Sequence, residues 1–117
     1  MNKTLFILND PPYDSDRSYN ALRLAGVLTK REGQDIKLFL IGGAASCARA
    51  NQKLPQGHYN IEIMLHGVIR RHAEVGVCET CMEARGIADH DLVEGAKRST
   101  LEQLTDWTVW ADKVLVF

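Results

Sequence analysis

The chain has 117 residues, 45% of them hydrophobic, which is enough for one domain over residues 1–117 with its own core. Its 14 basic and 15 acidic side chains give a formal net charge of −1, which argues against direct binding to nucleic acid or to anionic membranes. The N-terminal apolar run covers only residues 5–8, too short for a signal peptide or a membrane span, so the protein is expected in the cytoplasm.

Strands and helices are predicted to alternate from the N-terminus onward. Residues 3–8, KTLFIL, predict a central strand that stops at Asn-Asp-Pro-Pro. Apolar residues at helical spacing then predict a first helix over about 15–31, capped by Ser15 or Asp16. Residues 35–43, DIKLFLIGG, predict a second strand that closes on glycines and leads through a short helical piece into a polar loop.

The second half continues the alternation. A helix is predicted over about 59–72, a third strand at 74–78, EVGVC, and a short helix over about 79–85. The closing unit is a helix over 99–110 followed by a last strand at 112–117.

The last helix is expected to place four residues on one side: Leu101, Leu104, Thr108 and Ala111. Trp107 and Trp110 are three residues apart on this helix. We expect one of them to fill the core and the other to meet a neighbouring subunit.

Strands separated by helices imply parallel pairing. The predicted fold class is therefore α/β, a three-layer α/β/α sandwich around a mainly parallel sheet of four to five strands. Reactive groups in such folds lie at the carboxyl ends of the strands, which here bring together Asp10, Tyr13, Gly42, Gly43 and Cys78. Tyr13 can shape a pocket there, although the Asn-Asp-Pro segment is equally well explained as a loop that leads into a helix.

Two of the three cysteines form a C-x-x-C motif, Cys78-Glu-Thr-Cys81, at the end of the third strand. The helix that follows would offer unpaired N–H groups and the positive end of its dipole to Cys78, and both stabilise a thiolate. Glu79 and Glu83 oppose this effect, and Arg85 offsets them only if its side chain folds back. The sequence alone leaves the direction of the pKa shift open.

Several interpretations of the motif remain open at this stage. Both cysteines can be small buried apolar residues, or they can exchange as a dithiol in the manner of thioredoxin, although thioredoxin motifs follow an early strand. A zinc site needs about four ligands, and no second pair stands at ligand spacing, so no metal is expected. Cys47 is expected to be buried and inert, and His58 to be a possible proton donor near the thiolate.

Short segments spread along the chain match the pattern of a known family: NDPPY at 9–13, NALRLA at 20–25, KLFL at 37–40, GHYNI at 57–61, VCETC at 77–81, RGI at 85–87 and ADKVLVF at 111–117. Through these segments the sequence resembles the DsrE/DsrF-like family, in its YchN-like branch, over nearly the whole chain.

The resemblance implies a role for Cys78. In sulfur-relay members a single cysteine, followed after six residues by Arg-Gly, accepts sulfane sulfur as a persulfide and passes it to a partner; here these positions are Cys78, Arg85 and Gly86. Cys81 is typical of the YchN-like branch, and relay members often have a small apolar residue there. A second thiol can attack the persulfide and release sulfide, so carrier and reductase behaviour are both open.

The resemblance also implies a homo-oligomer, a trimer or hexamer, with the cysteine loops near subunit interfaces. We therefore predict a sulfurtransferase-like carrier that works with sulfur donor and acceptor proteins and needs no cofactor. The alternatives are a dithiol redox protein that uses Cys78 and Cys81, and a non-catalytic oligomeric binding module.

Overall fold

The computed structural model describes residues 1–117 and contains a single sheet of five parallel strands. The strands are β1 Asn2–Leu8, β2 Gln34–Leu40, β3 Glu74–Cys78, β4 Ala96–Ser99 and β5 Lys113–Val116. Their order across the sheet is β4-β3-β2-β1-β5. The strand β1 pairs with β2 on one side and β5 on the other, and its neighbouring residues Leu5 and Phe6 are buried on opposite faces, as is typical of a central parallel strand.

Four α-helices and two short 3-10 helices connect the strands. The helices are α1 Arg17–Leu28, α2 Ile61–Arg70, α3 Glu79–Glu83 and α4 Leu101–Trp110, and the 3-10 helices are Gly42–Ala48 and Asp89–Asp91. Asn60 caps α2 through its side chain, and Thr100 caps α4 in the same way. None of the helices is long and apolar enough to cross a bilayer.

The two faces of the sheet carry different cores. On one face, side chains such as Phe6, Leu38 and Val77 join Leu22 of α1 and Leu65 of α2 in a cluster of 21 buried residues. On the other face, Leu5 and Phe39 pack against Trp107 of α4 in a cluster of three. The predicted three-layer α/β/α fold is thereby confirmed, with much the thinner layer on the α4 side.

The first helix and the second strand are both shorter than predicted. The first helix begins at Arg17 and ends at Leu28, and Asp16 is its N-cap residue without a side-chain hydrogen bond. The second strand ends at Leu40, because Gly42 adopts a positive φ of 59° and starts the 3-10 helix.

The end of the chain requires one correction. Ser99 ends β4 rather than starting the last helix, which begins at Leu101 after the Thr100 cap. Of the four residues expected on one side of the last helix, Leu104 and Ala111 pack against buried residues, whereas Leu101, at 71% exposed, and Thr108 lie at the surface. Trp107 is the tryptophan that fills the core, at 6% exposed, and Trp110 is half-buried.

Candidate thiol site

The C-x-x-C motif lies at the carboxyl edge of the sheet, where β3 ends on Cys78 and α3 begins with Glu79. One turn of α3 brings Cys81 back beside the strand end, because residues three apart on a helix lie on the same side. The two sulfur atoms are 2.9 Å apart, with the Cys81 thiol donating toward the Cys78 sulfur. Both cysteines are free thiols and half-buried.

The two cysteine side chains pack on opposite faces of the sheet. Cys78 packs beside the small cluster of Leu5, Phe39 and Trp107. Cys81 packs against the large cluster on the α1 and α2 face. The pair therefore bridges the open edge of the sheet.

The surroundings of Cys78 favour its thiolate. Burial alone would raise the pKa of Cys78, but the hydrogen bond from the Cys81 thiol, the Thr80 hydroxyl and the backbone N–H groups of Cys81 and Thr80 lower it below the ordinary value. The Thr80 hydroxyl lies 3.3 Å from the Cys78 sulfur. Of the two thiols in contact, Cys78 is therefore the one that more readily forms a thiolate.

The surroundings of Cys81 favour its protonated thiol instead. Burial raises the pKa of Cys81, and its hydrogen bond to Cys78 raises it further, while the Gly42 backbone N–H lowers it. The distance from the Gly42 nitrogen to the Cys81 sulfur is 3.1 Å. Cys81 therefore keeps its proton and presents it to Cys78.

The glycine turn after β2 is fixed by close packing. A Cβ on Gly43 would lie 2.8 Å from Cδ of Pro11, so only glycine fits there. The next residue, Ala44, donates from its backbone N–H to the Asn9 carbonyl at 3.2 Å. The loops after β1 and β2 are thereby fastened together, and the Gly42 N–H is aimed at Cys81.

The predicted Arg85-Gly86 pair lies at the end of α3 and acts on its backbone. The Arg85 side chain folds back and donates to the Cys81 carbonyl at 3.1 Å. Gly86 has a positive φ of 64°, which lets the chain reverse and bury Ile87 in the core. The negative charge of Glu83 is balanced by Arg98, at 3.9 Å, rather than by Arg85.

Asp10 and Tyr13 lie on the same edge, but their hydrogen bonds do not reach the thiol pair. The Asp10 carbonyl accepts from the Cys47 thiol at 3.5 Å, and its carboxylate accepts from Ser15. The Tyr13 hydroxyl donates to Gln52 and accepts from the Ile61 backbone N–H. The Tyr13 contact joins the first loop to the start of α2, and the Asp10 carbonyl joins it to the 3-10 helix Gly42–Ala48.

His58 is exposed and packs in an aromatic group with Tyr13 and Tyr59, at ring-centroid distances of 5.7 and 4.6 Å. Its Nδ1 is paired with the Tyr59 carbonyl. The hydrogen bond and ring contacts of His58 are therefore made to the two tyrosines and not to the thiols.

Cys47 is fully buried in the 3-10 helix Gly42–Ala48. Burial raises the pKa of the Cys47 thiol to about 12, so it remains protonated and unreactive at neutral pH.

The site is an open edge rather than an enclosed pocket. Four surface cavities are present, and none has a cysteine in its lining. No group of three or more His, Cys, Asp or Glu side chains is placed to hold a metal ion.

Two residues beside Cys78, Thr80 and Ser99, were not predicted from the sequence. Thr80 is inside the motif itself and would have been found by asking which hydroxyl can reach the thiolate. Ser99 pairs with Cys78 across β3 and β4, and no sequence signal marks it because its strand has no apolar run.

These features define a class of protein: a parallel α/β fold with two free thiols in contact at the carboxyl edge of its sheet. The comparisons with known proteins agree, because the model of the DsrE/DsrF-like family matches residues 2–117. The chain belongs to the DsrE/DsrF-like family.

Relatives cover the chain from end to end. Protein YchN of Escherichia coli is 39% identical over 118 residues, with 100% of both chains covered. An uncharacterised protein of Methanocaldococcus jannaschii is 34% identical over 115 residues, covering 98% of this chain and 99% of its own.

Two solved structures share the fold. The crystal structure of the Escherichia coli YchN protein superposes with a TM-score of 0.94 over the full length of both chains, at 39% identity. A protein of unknown function from Methanobacterium thermoautotrophicum has a TM-score of 0.80, also over the full length of both, at 12% identity, which shows a common fold alone.

Proposed function

We propose that the protein accepts sulfane sulfur on Cys78 as a persulfide and acts as a cytoplasmic sulfur carrier between donor and acceptor proteins. The observation that supports this most directly is the Cys78 sulfur at an open edge. Against the opposing effect of burial, its pKa is lowered by the Cys81 thiol, the Thr80 hydroxyl and the backbone N–H groups of both residues. Membership of the DsrE/DsrF-like family, in which relay members use this position, supports it independently.

The loading step uses only groups at the site. The Cys78 thiolate attacks the outer sulfur of a donor persulfide, the new sulfur–sulfur bond forms on Cys78, and the donor thiolate leaves with the electron pair. The backbone N–H groups and the Thr80 hydroxyl that favour the Cys78 thiolate offer similar stabilisation to the negative charge of the persulfide.

Intact mass spectrometry after incubation with a sulfane-sulfur donor tests the proposal. The Cys81→Ser variant should gain the mass of one sulfur atom, and the Cys78→Ser variant should gain none. Cys47→Ala is the matched control, because its thiol is buried and it should load as the wild type does. Loading that persists in Cys78→Ser, or absence of loading in Cys81→Ser, would contradict the carrier function.

A second candidate function rests on the sulfur–sulfur distance. At 2.9 Å, Cys78 and Cys81 are close enough for a disulfide, which needs about 2.05 Å, after a small movement. The protein would then cycle as a dithiol redox protein. In that case both single serine variants lose turnover with a disulfide substrate, and neither wild type nor variant holds added sulfur.

We also propose that the protein is a homo-oligomer, a trimer or hexamer, as the family resemblance implies. A neighbouring subunit would then cover the open edge beside Cys78.

A further inference from the structure

Cys81 faces the sulfur of Cys78 that would be the inner sulfur of a persulfide. The two sulfur atoms are 2.9 Å apart, and the S–H of Cys81 is the donor of the contact. An added sulfur on Cys78 is one bond further away from the protein. A nucleophile at the Cys81 position therefore meets the inner sulfur first.

The position of Cys81 depends on more than the helix that carries it. The Gly42 N–H contacts its sulfur from a turn 39 residues away, and this turn is clamped because Gly43 packs directly on Pro11. The same N–H can stabilise negative charge as Cys81 gives up its proton. The structure thus holds a second thiol, a proton and a backbone donor together beside the acceptor sulfur.

We propose that Cys81 is a resolving thiol that discharges the Cys78 persulfide as hydrogen sulfide, so that the protein is a persulfide reductase as well as a sulfur acceptor. The proposal rests on the proposed function, because it begins from the loaded Cys78.

All the atoms and electrons of the discharge step come from one loaded chain. The Cys81 sulfur attacks the inner sulfur of the Cys78 persulfide, a Cys78–Cys81 disulfide forms, and the bond between the two persulfide sulfurs breaks. The electron pair leaves on the outer sulfur, which takes the proton from Cys81 and departs as hydrosulfide. The sulfane sulfur gains two electrons, and the two cysteine sulfurs lose them.

A single discharge needs no other reactant, whereas turnover needs a dithiol reductant to reopen the disulfide. An acceptor protein can receive sulfane sulfur only by reacting faster than Cys81 does. The site would thus have two outlets for the same sulfur, and the oxidation state of the pair would decide whether Cys78 can load again.

A single-turnover experiment under anaerobic conditions separates this inference from the proposed function. The probe is benzenethiosulfonate, whose co-product after loading is a sulfinate, so any sulfide comes from the protein. Sulfide is measured with a trapping dye, and the state of the chain is measured by intact mass after alkylation.

The wild type should release one sulfide per chain and lose two hydrogens, with little persulfide remaining. Cys81→Ser should hold the added sulfur at least about tenfold longer and release no sulfide. Gly43→Ala should slow sulfide release, because the clash with Pro11 moves the Gly42 N–H away from Cys81. Cys47→Ala should behave as the wild type.

Three results would decide against the inference. If the wild type keeps its persulfide as long as Cys81→Ser does, or if the added sulfur is found on Cys81, the resolving role is overturned while loading on Cys78 stands. If Cys81→Ser does not load, the proposed function fails as well.

Discussion

At the residue scale, the three thiols of the chain differ in what surrounds each sulfur atom. Cys47 is enclosed by apolar side chains, and its pKa is raised to about 12. Cys78 has several hydrogen-bond donors, and its pKa is lowered. Because alkylation requires the thiolate, the order of reactivity follows from these surroundings and not from the residue type.

Alkylation by iodoacetamide of reduced protein, followed by peptide mapping at several pH values, tests the role of Thr80. A lowered pKa gives a larger thiolate fraction at any given pH, so Cys78 should react first and Cys47 should react only after unfolding. Thr80→Val removes a donor 3.3 Å from the Cys78 sulfur, which should raise its pKa and slow its reaction at pH 7 by about threefold or more.

Thr105→Val is the matched control, because Thr105 lies on the exposed side of α4 and bonds only the Leu101 carbonyl. An unchanged rate in Thr80→Val would show that the Cys81 thiol and the backbone N–H groups suffice for the thiolate.

At the element scale, the connection between β2 and the 3-10 helix Gly42–Ala48 determines where the Gly42 N–H points. Gly43 and Gly26 make a matched pair of glycines, because neither has a positive φ, but their surroundings differ. A Cβ on Gly43 meets Pro11 at 2.8 Å, whereas a Cβ on Gly26, inside α1, meets nothing within 4 Å.

We expect Gly43→Ala to lower the free energy of unfolding by about 1–3 kcal/mol, because the two loops must separate to admit a methyl group. Gly26→Ala should raise it by about 0.5–1 kcal/mol through reduced backbone entropy in the unfolded chain. Urea titration followed by circular dichroism measures both values. Equal effects in the two variants would mean that the contact with Pro11 is not a tight one.

At the scale of the whole molecule, the two faces of the sheet are unequally covered. The helices α1 and α2 and the 3-10 helix Gly42–Ala48 cover one face, but α4 alone covers the other. Val114 and Val116 of the edge strand β5 remain 39% and 65% exposed. Parallel sheets are normally buried on both faces, so this face is the natural place for a second subunit.

Light scattering after size exclusion should therefore give a mass of several chains. Val116→Lys should reduce the mass toward that of one chain, because a charge in an apolar interface must be desolvated. Ile63→Lys is the control on α2, at 67% exposed on the opposite side of the sheet, and should leave the mass unchanged. A wild-type mass of one chain would contradict the proposed oligomer.

The sequence by itself determined the features that depend on neighbouring residues. The apolar run of β1 and the helical spacing of α1 and α2 predicted buried elements, and their alternation predicted a parallel sheet. The strand β4 was missed, since its residues AKRS include two exposed charges, as an edge strand permits.

The nearness of Cys78 and Cys81 was likewise predictable, because three residues make nearly one helical turn. What only the tertiary structure decided is the chemistry around them. The Gly42 N–H reaches Cys81 across 39 residues, and Asp10 bonds Cys47 across 37, because loops distant in the chain pack at one sheet edge. Such contacts depend on loop conformation and packing, which hydrophobic periodicity does not encode.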